Sequence, residues 1–297
     1  MDNSTLAVKH LTKFFGKKQA LSNITFECQK GHIVGLIGAN GAGKTTIMKS
    51  ILSMIKSDGD ISINGQTSTF DNHKILSEVG SLIEYPGIYP YMSGRDHLKI
   101  FTDDTKDKAQ RIQDIITELN LKDYIDKRAK GYSLGMKQKL GIAMALVNDP
   151  SLVILDEPMN GLDPKATKDL RELILKKKAA GTTFLISSHI LGELQKLAED
   201  LIVIDHGKVI KKTTMASLLE NNNHYLTLST NNDPQTFDIL KQANYTICST
   251  DPLKIILPSE KSVENIMELL ASNNITVRDL RHIDDDLEDS VLKIIAK

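Results

Sequence analysis

The sequence predicts an α/β protein in two domains, and three observations carry that expectation. Short apolar, β-branched runs alternate with helical periods over residues 1–220, a glycine-rich loop lies between one such run and a helix, and a polar break near residue 221 precedes a second, shorter alternation. Strands alternating with helices bury a mainly parallel sheet between helix layers. The length of 297 residues suits two domains at about 150 residues each.

Residues 5–36 read as strands joined by turns: LAVKHLTKFF, a turn at Gly16, ALSNITFECQ, a turn at Gly31, then HIVGLIG. The last run is short, β-branched and bounded by glycines, the pattern of a buried strand; the earlier pair predicts an antiparallel part of the sheet. Phe14 and Phe15, as strand neighbours, point to opposite faces, and Phe14 is the core candidate. GANGAGKTTIMKSIL passes from a glycine loop into a helix with Ile47, Ile51 and Leu52 on one face, and GDISING and EVGSLIEY supply further strands.

From Ser93 the pattern becomes helical. Ser93 with Asp96 three residues on is a capping-box-like start, followed by Leu98, Ile100 and Phe101, and Ile112, Ile115, Ile116 and Leu119 repeat at helical spacing. A helical subdomain is predicted over about 93–148. SLVILDEP is another buried strand; Asp163 as N-cap, Pro164 at the first helical position and Gly181 past the end bracket a helix. TTFLISSH and LIVIDHGKVI add strands. NNNHY, residues 221–225, reads as a linker, and residues 221–297 order strand, helix, two strands, helix, strand, a small α+β domain of ferredoxin-like order without a chemical motif.

Composition narrows the classes. The 37 basic and 38 acidic side chains leave a net charge of −1, which points away from a nucleic-acid-binding surface. No run approaches the roughly 18 apolar residues of a membrane-spanning helix, and the N-terminus lacks a basic region followed by an apolar one, so the chain is expected in the cytosol with any membrane role reached through a partner. Cys28 and Cys248, far apart and outside any CxxC, read as small buried hydrophobes. His10, His32, His73, His97, His206, His224 and His282 lack metal-ligand spacing. Lys176 to Lys178 read as a solvated helix C-terminus, and Asp284 to Glu288 as an acidic helix start.

Chemistry concentrates in three places. GANGAGKT, Gly38 to Thr45, matches the phosphate-loop pattern G-x-x-x-x-G-K-[ST]. Backbone N–H groups of Gly38, Ala39, Asn40, Gly41, Ala42 and Gly43 can curl around phosphate oxygens, Lys44 reaches the β and γ phosphates, and the Thr45 hydroxyl suits Mg²⁺. Thr46 continues into the helix, whose positive end faces the anion. LVILDE ends a strand in two carboxylates where α/β sheets bind ligands: Asp156 is placed to hold Mg²⁺ through water, and Glu157 to accept a proton from an attacking water. YSLGMKQKLGIAMAL, residues 132–146, opens a helix with Ser133 and Gly135, a hydroxyl and a glycine backbone able to receive a γ-phosphate.

In this order the motifs resemble the nucleotide-binding subunit of an ABC transporter over about residues 5–220, with Ser133, Leu134, Gly135 and Met136 at the family's signature motif. The resemblance implies a P-loop NTPase cassette, a mixed sheet with a helical subdomain, that binds and hydrolyses ATP. It further implies that Asn160, Gly161, Leu162 and Asp163 form the D-loop, that His189 in ISSH is the switch histidine sensing the γ-phosphate, and that Phe15 stacks on adenine. Two cassettes, identical or different, would pair head to tail, with ATP between Lys44, Thr45 and Thr46 of one and Ser133 and Gly135 of the other. Integral-membrane permease subunits would complete the assembly at the cytoplasmic face of a bacterial membrane.

One departure is informative. The family usually carries glutamine where this chain has Glu84, in SLIEYPGIYPYMSG. Transporters for bacitracin-like and lantibiotic peptides often have glutamate there with similar flanking text, so the chain resembles that subgroup, and Glu84 is expected near the metal and the attacking water. A carboxylate there adds charge and does not donate a hydrogen bond unless protonated. Tyr85 to Tyr91, rich in aromatics and proline, is the expected permease-docking tract. Export of an antibiotic and sensing of one both fit these motifs; a free-standing mechanical ATPase would show tandem cassettes, a coiled coil or basic arms.

Overall fold

The computed structural model describes residues 4–189, 191–220, 224–257 and 262–284. The chain divides into two compact units, Met1–Met215 and Ala216–Lys297.

In the first unit the chain order is β1 (Ser4–Phe15), β2 (Lys18–Gln29), β3 (Ile33–Ile37), α1 (Lys44–Ile51), β4 (Asp58–Ile63), β5 (Gln66–Ser68), β6 (Val79–Leu82), α2 (Gly94–Phe101), α3 (Lys108–Glu118), α4 (Leu134–Leu146), β7 (Leu152–Asp156), α5 (Pro164–Ala179), β8 (Thr183–Ser187), α6 (Leu191–Gln195), β9 (Asp200–Asp205) and β10 (Lys208–Thr214); α7 (Met215–Glu220) crosses into the second unit. An antiparallel sheet runs β2-β1-β4-β5, and a larger one runs β10-β9-β3-β8-β7-β6. The larger sheet is parallel from β9 to β6, with β10 antiparallel at its edge. Every residue of β3, β7 and β8 is buried, which is why these strands read as unbroken apolar runs. Ile47, Met48 and Ile51 of α1 share one core with Leu6, Phe26 and Leu36, so the helix that follows the glycine loop is fixed by packing as well as by its own hydrogen bonds.

Local signals set the helix ends. The Ser93 hydroxyl accepts the Asp96 N–H and donates to the Asp96 carboxylate at 2.7 Å. Asp163 caps α5, its Oδ1 accepting the Ala166 N–H at 2.8 Å, with Pro164 in the first turn and Gly181 beyond the end at φ 103°. Each such cap contributes about 1 kcal/mol. Helix α4 lies hard against β6: a Cβ at Gly80 would sit 1.8 Å from the Ala145 carbonyl oxygen, and one at Gly141 would sit 2.7 Å from Pro86. The helix that begins at Ser133 and the strand that leads to Glu84 are therefore packed as one piece.

Several expectations are corrected. Phe14 is 48% exposed rather than in the core, as is Phe15 at 52%; the β1–β2 register shifts between Lys13 and Phe14, at the hairpin tip, so strict alternation fails there. Ile100 and Phe101 are exposed while Leu98 is buried, so only part of the α2 apolar stripe faces a neighbour. Lys176 to Lys178 do more than meet solvent: Lys176 pairs with Glu118 at 2.6 Å, Lys177 with Asp149 at 2.7 Å, and Lys178 with Glu199. Cys28 is buried, but Cys248 is exposed because it lies on an edge strand whose side chains alternate between half-covered and exposed.

The second unit runs β11 (His224–Thr230), α8 (Asp233–Gln242), β12 (Ile247–Thr250), β13 (Leu253–Leu257), α9 (Val263–Ser272) and β14 (Val277–Asp284). Its sheet order, β12-β13-β11-β14, is antiparallel throughout, the split-βαβ arrangement. Leu226, Leu228, Leu240, Ile255, Ile266 and Leu270 form its core. Of the expected linker, residues 221–223 lie outside the described residues and His224 and Tyr225 belong to β11. Asp284 ends β14, and residues 285–288 of the expected acidic helix start also lie outside the described residues.

Candidate active site

The site is assembled where β3, β7 and β8 end. Between β3 and α1 the loop closes on Gly43, whose φ of 116° is open to glycine alone at little cost. Lys44, buried, folds back over the loop, donating to the Gly38 carbonyl at 2.7 Å and reaching the Ala39 carbonyl at 3.4 Å. The next residue, Thr45, donates its hydroxyl to Asp156 Oδ2 at 2.7 Å. The other Asp156 oxygen accepts the Ser187 hydroxyl at 2.5 Å, so both oxygens of this buried carboxylate are oriented. Ser187 also accepts the Glu157 N–H at 2.9 Å, which ties the end of β8 to the turn after β7.

At Glu157 the backbone is left-handed, φ 50°, a sparsely populated state for a residue with a Cβ and one that clusters at active sites. This turn takes the Glu157 carboxylate out of the strand direction and sets it between two groups. Oε1 lies 4.0 Å from Lys44 Nζ, and Oε2 accepts from His189 Nδ1 at 2.7 Å and from the His189 backbone N–H at 3.2 Å. Since a carboxylate only accepts, Nδ1 carries the proton, and in the neutral ring Nε2 is the acceptor. The arrangement gathers a carboxylate, an ammonium and an imidazole beside the glycine loop.

Lys44, Thr45, Asp156, Glu157 and His189 are thus brought together by direct contact. Ser133 and Gly135 are not part of that cluster. The exposed Ser133 hydroxyl caps α4 through the Met136 N–H at 3.3 Å, and Gly135 lies so close to the Gly161 carbonyl that a Cβ would stand 3.0 Å from it. Asp163 spends its carboxylate on the α5 cap. Glu84, left-handed at φ 57°, pairs with Lys49 at 2.7 Å. Phe15 stands exposed beside the Lys13 ammonium, 4.9 Å from its ring centre.

Three contributors escape a reading of motifs. Ser187 orients Asp156 and the Glu157 backbone; its only sequence signal is a polar residue closing an apolar strand. Gln138, buried in α4, donates to the Pro158 carbonyl at 3.1 Å and so joins the helix that starts at Ser133 to the turn that holds Glu157. His97 is fully buried: Nε2 accepts the Tyr89 N–H at 2.8 Å, Nδ1 meets the Ser93 carbonyl at 2.7 Å, and its ring stacks near Tyr89. It fastens the Tyr85 to Tyr91 tract to α2.

Comparison with known proteins agrees with this geometry. The family described as "ABC transporter" matches residues 21–160. The lantibiotic transport ATP-binding protein SrtF of Streptococcus pyogenes is 42% identical over 69% of this chain and 89% of its own. The bacitracin transport ATP-binding protein BcrA of Enterococcus faecalis is 32% identical over 98% of this chain and 96% of its own. A solved ATP-binding subunit of an ABC transporter superposes with a TM-score of 0.69 at 30% identity, covering 73% of this chain and 92% of that one. The chain belongs to the ABC transporter family, as an ATP-binding subunit that hydrolyses ATP.

Proposed function

We propose that this subunit binds ATP with Mg²⁺, pairs head to tail with a second cassette, and drives a membrane permease that exports a peptide antibiotic of the bacitracin or lantibiotic kind, conferring resistance or immunity. It would work at the cytoplasmic face of a bacterial membrane, held there by the permease; among the described residues no helix is long and apolar enough to span a bilayer. The observation that carries the catalytic reading is the Glu157 carboxylate, set between Lys44 and His189 beside the Thr45–Asp156 pair.

The donor set fits a hard divalent cation: a hydroxyl and a carboxylate oxygen converge at 2.7 Å where α1 begins. Mg²⁺ held by Thr45, and by Asp156 through water, would neutralise charge on the β and γ phosphates. Glu157 takes a proton from the water that attacks the γ-phosphorus in line, Lys44 exchanges its loop carbonyls for phosphate oxygens, and loop N–H groups hold the remaining charge. His189, held by Glu157 through Nδ1, would sense the γ-phosphate through Nε2. Phe15 offers its exposed ring to adenine. The partner's signature segment would close the site over the γ-phosphate, so hydrolysis waits on association.

Tyr85, Tyr89 and Tyr91, 80%, 60% and 79% exposed, support a docking role for this tract, since tyrosine gives large contact area with a polar tip. The cargo reading rests on the names of the relatives and on Glu84. The test is a pull-down of tagged Glu157→Gln with ATP from detergent-solubilised native membranes, read by mass spectrometry. A multi-span protein in stoichiometric yield supports the reading, and Tyr89→Ala should reduce that yield; ribosomal or soluble assembly proteins instead would overturn it. Deletion of the gene should then sensitise cells to bacitracin or to a lantibiotic, and an unchanged growth threshold for both removes the cargo reading alone.

A further inference from the structure

Lys49 follows Thr45 by four residues in α1, so it lies on the same helix face, about 6 Å further along the axis. Its ammonium stands 2.7 Å from Glu84 Oε1, with the lysine side chain the more covered of the two. Glu84 itself leaves the end of β6 with a left-handed backbone at φ 57°, which fixes the direction of its side chain. The Thr45 hydroxyl is meanwhile engaged by Asp156. The Glu84 carboxylate is therefore held on a cation of its own, and among the described residues it forms no metal-ligating cluster with Asp156 and Glu157.

We propose that Lys49 is a positioning residue that latches Glu84 away from the metal position, so that this carboxylate reaches the metal only when the Lys49–Glu84 pair parts. The reason is electrostatic. Asp156 and Glu157 already bring two carboxylates to the site, and a third approaching it unpaired would bind Mg²⁺ even where the phosphates are absent, whereas the ion pair cancels its charge at rest. The inference rests on the Mg²⁺ reading of Thr45 and Asp156 given above.

The test measures nucleotide binding rather than turnover. In the Glu157→Gln chain, a fluorescent ATP analogue is titrated with Mg²⁺. Lys49→Met should lower the half-saturating Mg²⁺ concentration about threefold, the scale of an exposed ion pair, while Lys49→Arg leaves it in place. With Glu84→Gln also present, the Lys49→Met shift should disappear. Lys49→Gln serves as a second removal if the methionine variant does not fold. The latch is overturned if Lys49→Met has no effect beside Glu84, or if its shift persists unchanged beside Gln at position 84, since the lysine would then act through its own charge alone. Binding that ignores Mg²⁺ in every variant would remove the metal reading and the latch with it, an outcome distinct from a Mg²⁺-dependent curve that ignores Lys49.

Discussion

Where β3, β7 and β8 end, polar groups are bound to one another: half-buried Thr45 and buried Ser187 to the two oxygens of buried Asp156, and exposed His189 to half-buried Glu157. At the start of α4 the exposed Ser133 hydroxyl caps the helix through the Met136 N–H, and Leu134 beside it is exposed as well. The first region is organised within one chain, so its dipoles need little rearrangement when charge develops on phosphate. The second is a finished helix end presented outward. Such a division suits an enzyme whose chemistry is ready and whose timing is set by what meets the exposed end.

The largest effect should come from within the organised cluster. Glu157→Gln should retain ATP binding and reduce steady-state hydrolysis by about a hundredfold or more, the loss expected of a general base; turnover near the wild-type rate would move the base elsewhere. Ser133→Ala should leave nucleotide affinity of the isolated chain unchanged while hydrolysis by the assembled transporter falls about tenfold to a hundredfold, the size of one hydrogen bond to a charged group. Ser133→Thr, which keeps both hydroxyl and cap, should restore it, and a Ser133→Ala defect already present in nucleotide binding would erase the contrast between the regions. Phe15→Ala should weaken nucleotide binding by about 1 to 2 kcal/mol through lost stacking and burial, checked by calorimetry; equal affinity would leave the ring without a nucleotide role.

The smallest effect is chemical rather than energetic. Burial pushes the Cys28 thiol well above its ordinary range, while Cys248 is exposed. A thiol reagent should therefore modify one cysteine per native chain and two after unfolding. Rapid native modification of both would show that the β1–β2 region opens on the timescale of labelling.

These contrasts also separate what was legible in the sequence from what was not. The phosphate loop, the strand ending at Asp156 and the Asp163–Pro164 helix start are local patterns, since a cap, a glycine turn or an apolar run carries its own physics within a few residues. Phe14 and Cys248 were misread because their exposure depends on which elements cover a hairpin tip or a sheet edge, and no local pattern encodes that. Ser187, Gln138 and His97 gave no motif, as each works on a group distant in sequence or on a backbone carbonyl or N–H. Glu84 was visible as a departure, but its partner Lys49 was not, because a lysine on a helix face ordinarily meets water.

The bonds from Lys44 to the Gly38 and Ala39 carbonyls change what a mutation at this lysine measures. Its ammonium braces the loop from inside, so phosphate oxygens that engaged it would compete with these carbonyls and only the difference between the two would appear as affinity. Replacing Lys44 removes the brace and the ligand together. The affinity lost in such a variant combines a phosphate contact with the disorder of a loop that must then be ordered by the nucleotide itself, and so overstates the contact alone.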